Sequence, residues 1–319
     1  MAKPLHRGGQ GAVLDAATSE AVGDHAAVKG AAPNAEIEIK LICDPEQLAD
    51  VGRAQILARY ARDEGKNIDL TAIYYDTPDR DLHKLGAVLR VRTDGERFVM
   101  TMKSKKTGNG KALERTEWKV PVQSMKPDLA ALSQFLSAKT FAQIENAPLN
   151  PMFSTEVRRQ VRMLDTPHGV VELAIDQGRI VAGERSEDIS EIELELMDGN
   201  TEALFQLAQE FVSNFHLRPS IRSKAARGFD LALDTPPPVA KAREMRFEDS
   251  ATLDQALDGI MRSALQHLLE NQPAAEDGRT PTGLHQYRIA LRRLRSVLGL
   301  TDHSHPRRNW TPSGKTPNG

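Results

Sequence analysis

Glu36, Glu38 and Lys40 stand two apart in the stretch Glu36-Ile37-Glu38-Ile39-Lys40-Leu41. On a strand, alternate residues share a face, so the two carboxylates lie about 7 Å apart with an ammonium one step further. Such a face makes a poor core but a usable site for a cation and an anion together. The same inverted alternation returns for almost two hundred residues. The acids falling on the polar face are Glu36, Glu38, Glu117, Glu172, Asp176, Glu191, Glu193 and Glu195, and the bases are Lys40, Arg90, Arg92, Lys103, Arg115, Arg159, Arg222 and Lys224. Neighbouring carboxylates on one strand face repel unless a cation sits between them. An oxygen-only donor set, with no Cys or His, suits Mg²⁺ or Mn²⁺ rather than zinc. Arg90 and Arg92 are the converse: two guanidiniums pointing the same way call for an oxyanion, and phosphate matches their forked donors. A tunnel holding both clusters would suit a metal-bound polyphosphate chain. The bland alternative is a solvated sheet whose charges pair across strands, each pair contributing at most about 1 kcal/mol.

The elements that must position these residues alternate between strands and helices. Asp44-Pro45-Glu46 caps a helix expected to run to about Asp63, and Gly65 breaks it. Strands are expected over Ile68 to Asp76, Ala87 to Thr93, Phe98 to Lys105, Leu113 to Val120, Phe153 to Leu164 and Val170 to Ile175, with a turn at Gln177-Gly178 and a short strand from Ile180. Asp94-Gly95 forms a tight hairpin turn. Glu191 to Leu196 repeats the inverted pattern, a helix runs from the cap at Asp198–Thr201 to about Phe215, and Arg218 to Lys224 and Ala225 to Leu233 close the region as strand and short helix. Antiparallel strands with one charged face give either an open sheet with a wet side or a closed barrel with a wet lumen.

The chain of 319 residues is long enough for two domains. Residues 1–34, rich in Ala and Gly, are expected to be a disordered extension. The proline run Pro236-Pro237-Pro238 marks residues 234–250 as a linker. Residues 251–300 carry two amphipathic helices. The first is marked by Leu253, Leu257, Ile260, Leu265 and Leu268. The second has His285, Arg288, Arg292 and Arg295 on one face and Leu284, Leu291, Leu294 and Leu298 beside it. Residues 301–319 lack periodicity and are expected to be a disordered tail.

Net charge is -2, which argues against nucleic acid as a partner, and no apolar run approaches the roughly 18 residues needed to cross a bilayer. The single cysteine, Cys43, excludes a disulfide framework and fits a cytoplasmic setting. It reads as packed rather than nucleophilic. Gly8, Gly9 and Gly11 lack the strand and the Gly-Lys-Ser/Thr of a phosphate loop, the nine histidines lack metal spacing, and there is no Gly-x-Ser-x-Gly elbow.

Taken in order, the motifs resemble the CYTH, or triphosphate tunnel metalloenzyme, family across roughly Ala35 to Leu233. They are Glu36/Glu38/Lys40, Tyr75-Asp76-Thr77, Leu89 to Arg92, Thr101 to Lys103, Arg115/Glu117, Phe153-Ser154-Thr155 leading to Arg159, Glu172 with Asp176-Gln177-Gly178, Glu191/Glu193/Glu195 and Ser223 to Gly228. His285-x-x-Arg288-x-x-x-Arg292-Arg293-Leu294-Arg295 resembles the start of a CHAD helical domain, with its remaining helices missing and polyphosphate binding by His285, Arg288, Arg292 and Arg295 implied. The resemblance implies an α+β fold: a closed eight-stranded antiparallel β-barrel with flanking helices, followed by a partial helical domain.

It also implies metal-dependent hydrolysis of inorganic triphosphate. Arg90, Arg92, Lys103, Arg115, Arg159 and Lys224 would grip phosphate oxygens, and Glu36, Glu38, Glu193 and Glu195 would hold one or two Mg²⁺ or Mn²⁺ ions. Glu172 or Asp176 would complete a metal shell or orient the water, and Lys40 would either contact phosphate or act as a base. The rival readings are a non-catalytic polyphosphate-binding module, a thiamine triphosphatase or an adenylate cyclase. The oligomeric state is not encoded legibly.

Overall fold

The computed structural model describes residues 37–105, 115–133, 141–142 and 144–304. The expected extension, Glu36, residues 106–114 and residues 305–319 lie outside the described residues, whereas residues 301–304, expected to belong to the tail, continue the last helix. Nine strands form one antiparallel sheet: β1 (Glu38–Ile42), β2 (Lys66–Asp76), β3 (Ala87–Thr93), β4 (Phe98–Lys105), β5 (Arg115–Val122), β6 (Asn150–Thr166), β7 (Gly169–Ala182), β8 (Arg185–Gly199) and β9 (Arg218–Pro219). Their order is β5-β4-β3-β2-β6-β7-β8-β1-β9.

The expectation of a closed eight-stranded barrel is corrected: the sheet is open and has nine strands, with β5 and β9 as its edges. β9 is two residues long and ends at Pro219, which has no N–H to offer a further strand.

Inverted alternation sorts the residues between the two faces. Leu41, Leu164, Leu173, Ile192 and Leu194 pack outward with Leu48, Val51, Ile56 and Leu57 of α1 (Pro45–Val51) and α2 (Gln55–Tyr60), and with Leu204, Leu207 and Phe211 of α5 (Glu202–Asn214). Over β2–β4, Leu89, Val91, Met100 and Met102 pack with Leu82 of α3 (Asp81–Lys84) and Leu132 of α4 (Leu129–Ser133). These apolar residues are thereby removed from water on the helix-covered side, and the opposite face carries the charges together with a smaller apolar cluster of Tyr74, Phe153, Val157 and Ile180.

That charged face is partly covered by α6 (Lys224–Leu233). The helix seats against β6 through Gly228, where an added Cβ would lie 2.1 Å from a ring carbon of Phe153. Phe229 meets Phe153 edge-on at 5.2 Å.

Four boundaries differ from expectation. The first helix is split by Gly52-Arg53-Ala54, where the Gly52 N–H returns to the Leu48 carbonyl and the ladder ends. Gln177-Gly178 is no turn: β7 runs through it, because Gly178 lets β6 approach so closely that a Cβ would sit 1.9 Å from the Glu156 carbonyl oxygen. Lys224 begins a helix instead of ending a strand; the Ser223 hydroxyl caps it by accepting from the Ala226 N–H. Finally, the proline-rich segment is docked: the Ala240 N–H donates to Asn271 Oδ1, and its carbonyl accepts from Asn271 Nδ2.

α7 (Leu253–Asp277) opens with a capping box between Thr252 and Gln255, and α8 (Pro281–Ser304) packs back along it. The buried seam is Ala264, His267, Asn271 and Ala274 of α7 with Gly283, Ala290 and Val297 of α8. Small residues let the two helices approach closely, so Leu284 and Leu291 remain 53% and 43% exposed. The leucine stripe beside the basic row is therefore largely at the surface.

Candidate anion and metal site in the charged face

Register decides which charges meet. Across β1, β8 and β7, Glu38 opposes Glu195 and Glu195 opposes Glu172; one step on, Lys40 opposes Glu193; then Glu191 opposes Asp176, which opposes Arg159 on β6. Directly opposed side chains project to the same side with Cβ atoms about 4.5–5.5 Å apart. The second wall comes from β3–β5, where Arg90 opposes Thr101, Thr101 opposes Lys119, and Lys103 opposes Glu117. These walls and the start of α6 enclose a cavity of about 580 Å³.

At the β6–β8 wall, Glu193 is held by three cations: Lys40 Nζ at 2.9 Å and Lys224 Nζ at 3.2 Å from one oxygen, and Arg159 Nη2 at 2.7 Å from the other. Arg159 also makes a two-pronged bond to Asp176, 2.7 Å on each prong. Lys224 pairs with Asp176 at 2.7 Å and with Glu191. Arg227 binds Glu191 at 3.2 Å and Glu187 at 2.6 Å. Asp176 and Glu191 are wholly buried.

Burial works to raise the Glu193 carboxyl, but the charges of Lys224, Lys40 and Arg159 outweigh it and hold the group far below the usual carboxylate range. Lys224 shows the mirror case: burial works to lower it, and Glu191, Asp176 and Glu193 together push it well above an ordinary lysine. Arg159 is likewise raised, Asp176 overcoming desolvation.

The β3–β5 wall is electrostatically different. Burial and the neighbouring charges of Arg90 and Arg159 lower Arg92, and no carboxylate lies within ion-pairing distance of Arg90 or Arg92 among the described residues. Arg90 Nε is buried without a hydrogen-bond partner. Lys103 and Lys119 both reach Glu117, at 2.9 and 3.5 Å, and that attraction outweighs burial to keep Glu117 below its ordinary value. Two adjacent guanidiniums with no carboxylate in direct ion-pairing contact among the described residues are what a polyanion site requires.

The candidate residues thus divide. Lys40, Asp176, Glu193, Arg159 and Lys224 form one cluster, and Arg90, Arg92 and Lys103 face it from the other wall. Glu38 and Glu195 line the same cavity, whereas Glu172 sits beside Glu195 in register but outside the lining. Arg115 lies in β5, in register with Lys105. His285, Arg288, Arg292 and Arg295 are exposed along α8, away from this cavity's lining.

Three groups were underweighted from sequence: Glu191, Lys119 and Arg227. Glu191 and Lys119 share the period of their strands' charged faces, and Arg227 follows Lys224 by three on a capped helix, so periodicity contained the signal. Cys43 is buried against Ser190 with its thiol raised by burial, a packed residue as expected.

Oxygens of Asp176, Glu191 and Glu193 lie within 4.8 Å of one another, and carboxylate oxygens are the donor type that suits a hard divalent ion. These three acids are already matched by ammonium and guanidinium groups. Of the cavity's other carboxylates, Glu117 is paired with Lys103 and Lys119, and Glu38 and Glu195 oppose each other at the next row. No helix among the described residues is long and apolar enough to cross a membrane.

The chain is 33% identical over 198 residues to an inorganic triphosphatase of Haemophilus influenzae, covering 61% of this chain and 54% of that protein. It therefore spans about half the length of the curated relative it matches. Among solved structures, a Hippeastrum protein described as an adenylyl cyclase candidate with a dominant triphosphatase activity aligns at TM-score 0.41 and 18% identity, over 61% of this chain and 96% of that one. A Bacillus halodurans adenylate cyclase candidate aligns at TM-score 0.40 and 20% identity, over 61% and 96%. Residues 259–315 match the CHAD domain. Residues 34–229 match the CYTH domain, and with that match spanning more than half of its length the chain belongs to the CYTH family.

Proposed function

We propose that this protein hydrolyses inorganic triphosphate to pyrophosphate and phosphate with the help of a divalent metal ion, Mg²⁺ or Mn²⁺. The observation that carries the reading is the placement of Arg90 and Arg92, partly buried on one strand with no carboxylate within ion-pairing distance among the described residues, across one cavity from a cluster of carboxylates. The name of the Haemophilus influenzae relative supports the same substrate.

Phosphoryl transfer to water asks for positioning and charge neutralisation, not a covalent nucleophile. Arg90, Arg92 and Lys103 would hold the oxygens of one end of the chain, and Lys40, Arg159 and Lys224 those of the other. Arg115 would add to the first group. Lys40, flanked by two carboxylates, suits an ammonium donor better than a base. Glu38 and Glu195 would hold the metal, with Glu36 and Glu193 completing its donors; when bound, the metal neutralises phosphate charge and lowers the pKa of the attacking water. Asp176 is fully committed to Arg159 and Lys224, and Glu172 stands outside the cavity lining, so Glu172 would act by completing the metal shell beside Glu195. The exposed row His285, Arg288, Arg292 and Arg295 would bind polyphosphate on α8.

A non-catalytic polyphosphate-binding module is the second reading, favoured by the fact that three acids of the cavity are already neutralised by bases. Phosphate release separates the two: inorganic triphosphate, ATP and thiamine triphosphate are each incubated with and without Mg²⁺. Metal-dependent release that is fastest on inorganic triphosphate is the expected result, and none from any of the three would refute hydrolysis. Arg92→Met removes one charge-assisted contact of about 1.5–3 kcal/mol, so triphosphate affinity falls roughly 10- to 150-fold. Its thermal stability stays level or rises, because a repulsion with Arg90 goes with it.

A further inference from the structure

We propose that Glu193 is an exchangeable carboxylate: it occupies the cations that take the phosphate, and anion binding releases it towards a divalent cation, so that the two ligands bind cooperatively. The inference rests on the triphosphate reading above and adds to it the regulation of the same site.

Three features single out Glu193. First, Asp176 and Glu191 have no exposed side-chain surface, whereas Glu193, which lines the cavity, is 17% exposed. Second, each of its cations keeps another acid if it leaves. Arg159 retains both prongs to Asp176, Lys224 retains Asp176 and Glu191, and Lys40 retains Glu191 at 3.4 Å. The usual obstacle to opening a buried ion pair is a charge left without a partner, and here that obstacle is absent. Third, the rows bordering Glu193 along β8 and β1 carry Glu195 and Glu38. A carboxylate turned from Lys40 and Lys224 towards those two acids is repelled unless a cation joins them.

Two exchanges are therefore complementary. A phosphate oxygen replaces the Glu193 oxygens on Lys40, Arg159 and Lys224. The released carboxylate, with Glu38 and Glu195, supplies three hard oxygen donors for Mg²⁺. Because coupling free energy is reciprocal, the anion tightens the cation's binding by the same factor as the cation tightens the anion's. Glu191, Asp176 and Arg227 do not take part in the exchange. The two acids hold the three cations in place while their ligand changes, and Arg227 anchors Glu191.

Calorimetric titration of the full chain tests this without relying on turnover. In EDTA, inorganic triphosphate should bind E193Q more tightly than wild type by about 5- to 150-fold, the usual span of coupled sites. E38Q removes the same charge from the cavity without touching the three cations, so it should tighten metal-free triphosphate binding less than E193Q does, and equal tightening by both would overturn the exchange. With a methylene-bridged triphosphate, Mg²⁺ should tighten wild-type binding beyond what complexation in solution explains, and should not do so for E193Q. If E193Q does not fold, as judged by circular dichroism, the Mg²⁺ effect on wild type decides alone. Unchanged or weaker metal-free binding by folded E193Q, or no Mg²⁺ effect on wild type, overturns the exchange and leaves the triphosphate site standing. A wild-type protein that binds triphosphate under no condition overturns the proposed function, and the exchange with it.

Discussion

Gly228→Ala is a substitution whose sign the tertiary structure reverses. In an isolated helix the change from Gly to Ala stabilises by about 1 kcal/mol. In α6 the new Cβ would stand 2.1, 2.3 and 2.5 Å from three ring carbons of Phe153, distances at which something must move. The ring cannot yield easily. It is 3% exposed, stacked on Tyr74 at 4.4 Å and met edge-on by Phe229 at 5.2 Å. Overpacking of this kind costs about 1–3 kcal/mol, and three sub-contact distances place it at the upper end. The net expectation is destabilisation by about 2 kcal/mol, read from the midpoint of urea denaturation.

Lys224 and Arg227 ride on the same helix, so displacing it also weakens triphosphate binding. The mechanism is checked by repeating the substitution in Phe153→Leu, which lacks two of the three clashing ring carbons. There, Gly228→Ala should become neutral or stabilising, giving a coupling of about 1–3 kcal/mol between the two sites. Equal destabilisation in both backgrounds, or a stabilised single mutant, would refute the packing argument.

The charge network makes two further demands. Glu191→Gln leaves Lys40, Lys224 and Arg227 with less than their buried counter-charge, so stability falls by about 3–5 kcal/mol in urea denaturation; a loss within experimental error would show the network to be dispensable. The pH dependence has a defined sign on each side. Glu193 is depressed below its unfolded value of 4.5, so its contribution is complete above that pH and is lost as the pH falls below it. Lys224 is raised above its unfolded value of 10.5, so its contribution is complete below that pH and is lost as the pH climbs past it. Denaturation midpoints measured across pH should therefore show a plateau between these limits, and Glu193→Gln should flatten the acid side.

Much of the site was legible because a strand's side chains alternate with a period of two. That rule assigned Lys40, Arg90, Arg92, Lys103, Asp176, Glu193 and Glu195 to charged faces before any coordinates, and the structure gathers all seven around one cavity. It also placed Glu191 on the same face, yet gave no reason to prefer Glu191 over Glu172. Only register does so. Glu191 stands opposite Asp176, within reach of Lys224 and Arg227, while Glu172 stands outside the lining.

In the helical region, helical spacing marked the leucine stripe but not the surface of contact. Helices approach most closely where side chains are smallest, and Gly283, Ala290, Ala264 and Ala274 are the buried small residues there. An added Cβ at Gly283 would lie 2.7 Å from the Ala274 Cβ, which shows how near the two backbones run.

By itself, then, the sequence determined the composition of each face: alternation is a local property, fixed by the geometry of one strand. Which acid meets which base is non-local. Arg159 reaches Asp176 across 17 positions, Lys224 reaches Glu191 across 33, and Lys40 meets Glu193 through the pairing of strands from opposite ends of the sheet domain. Those meetings depend on register, on the openness of the sheet and on a helix seated at Gly228. Such features are set by how well distant surfaces pack, a property that no short window of residues carries.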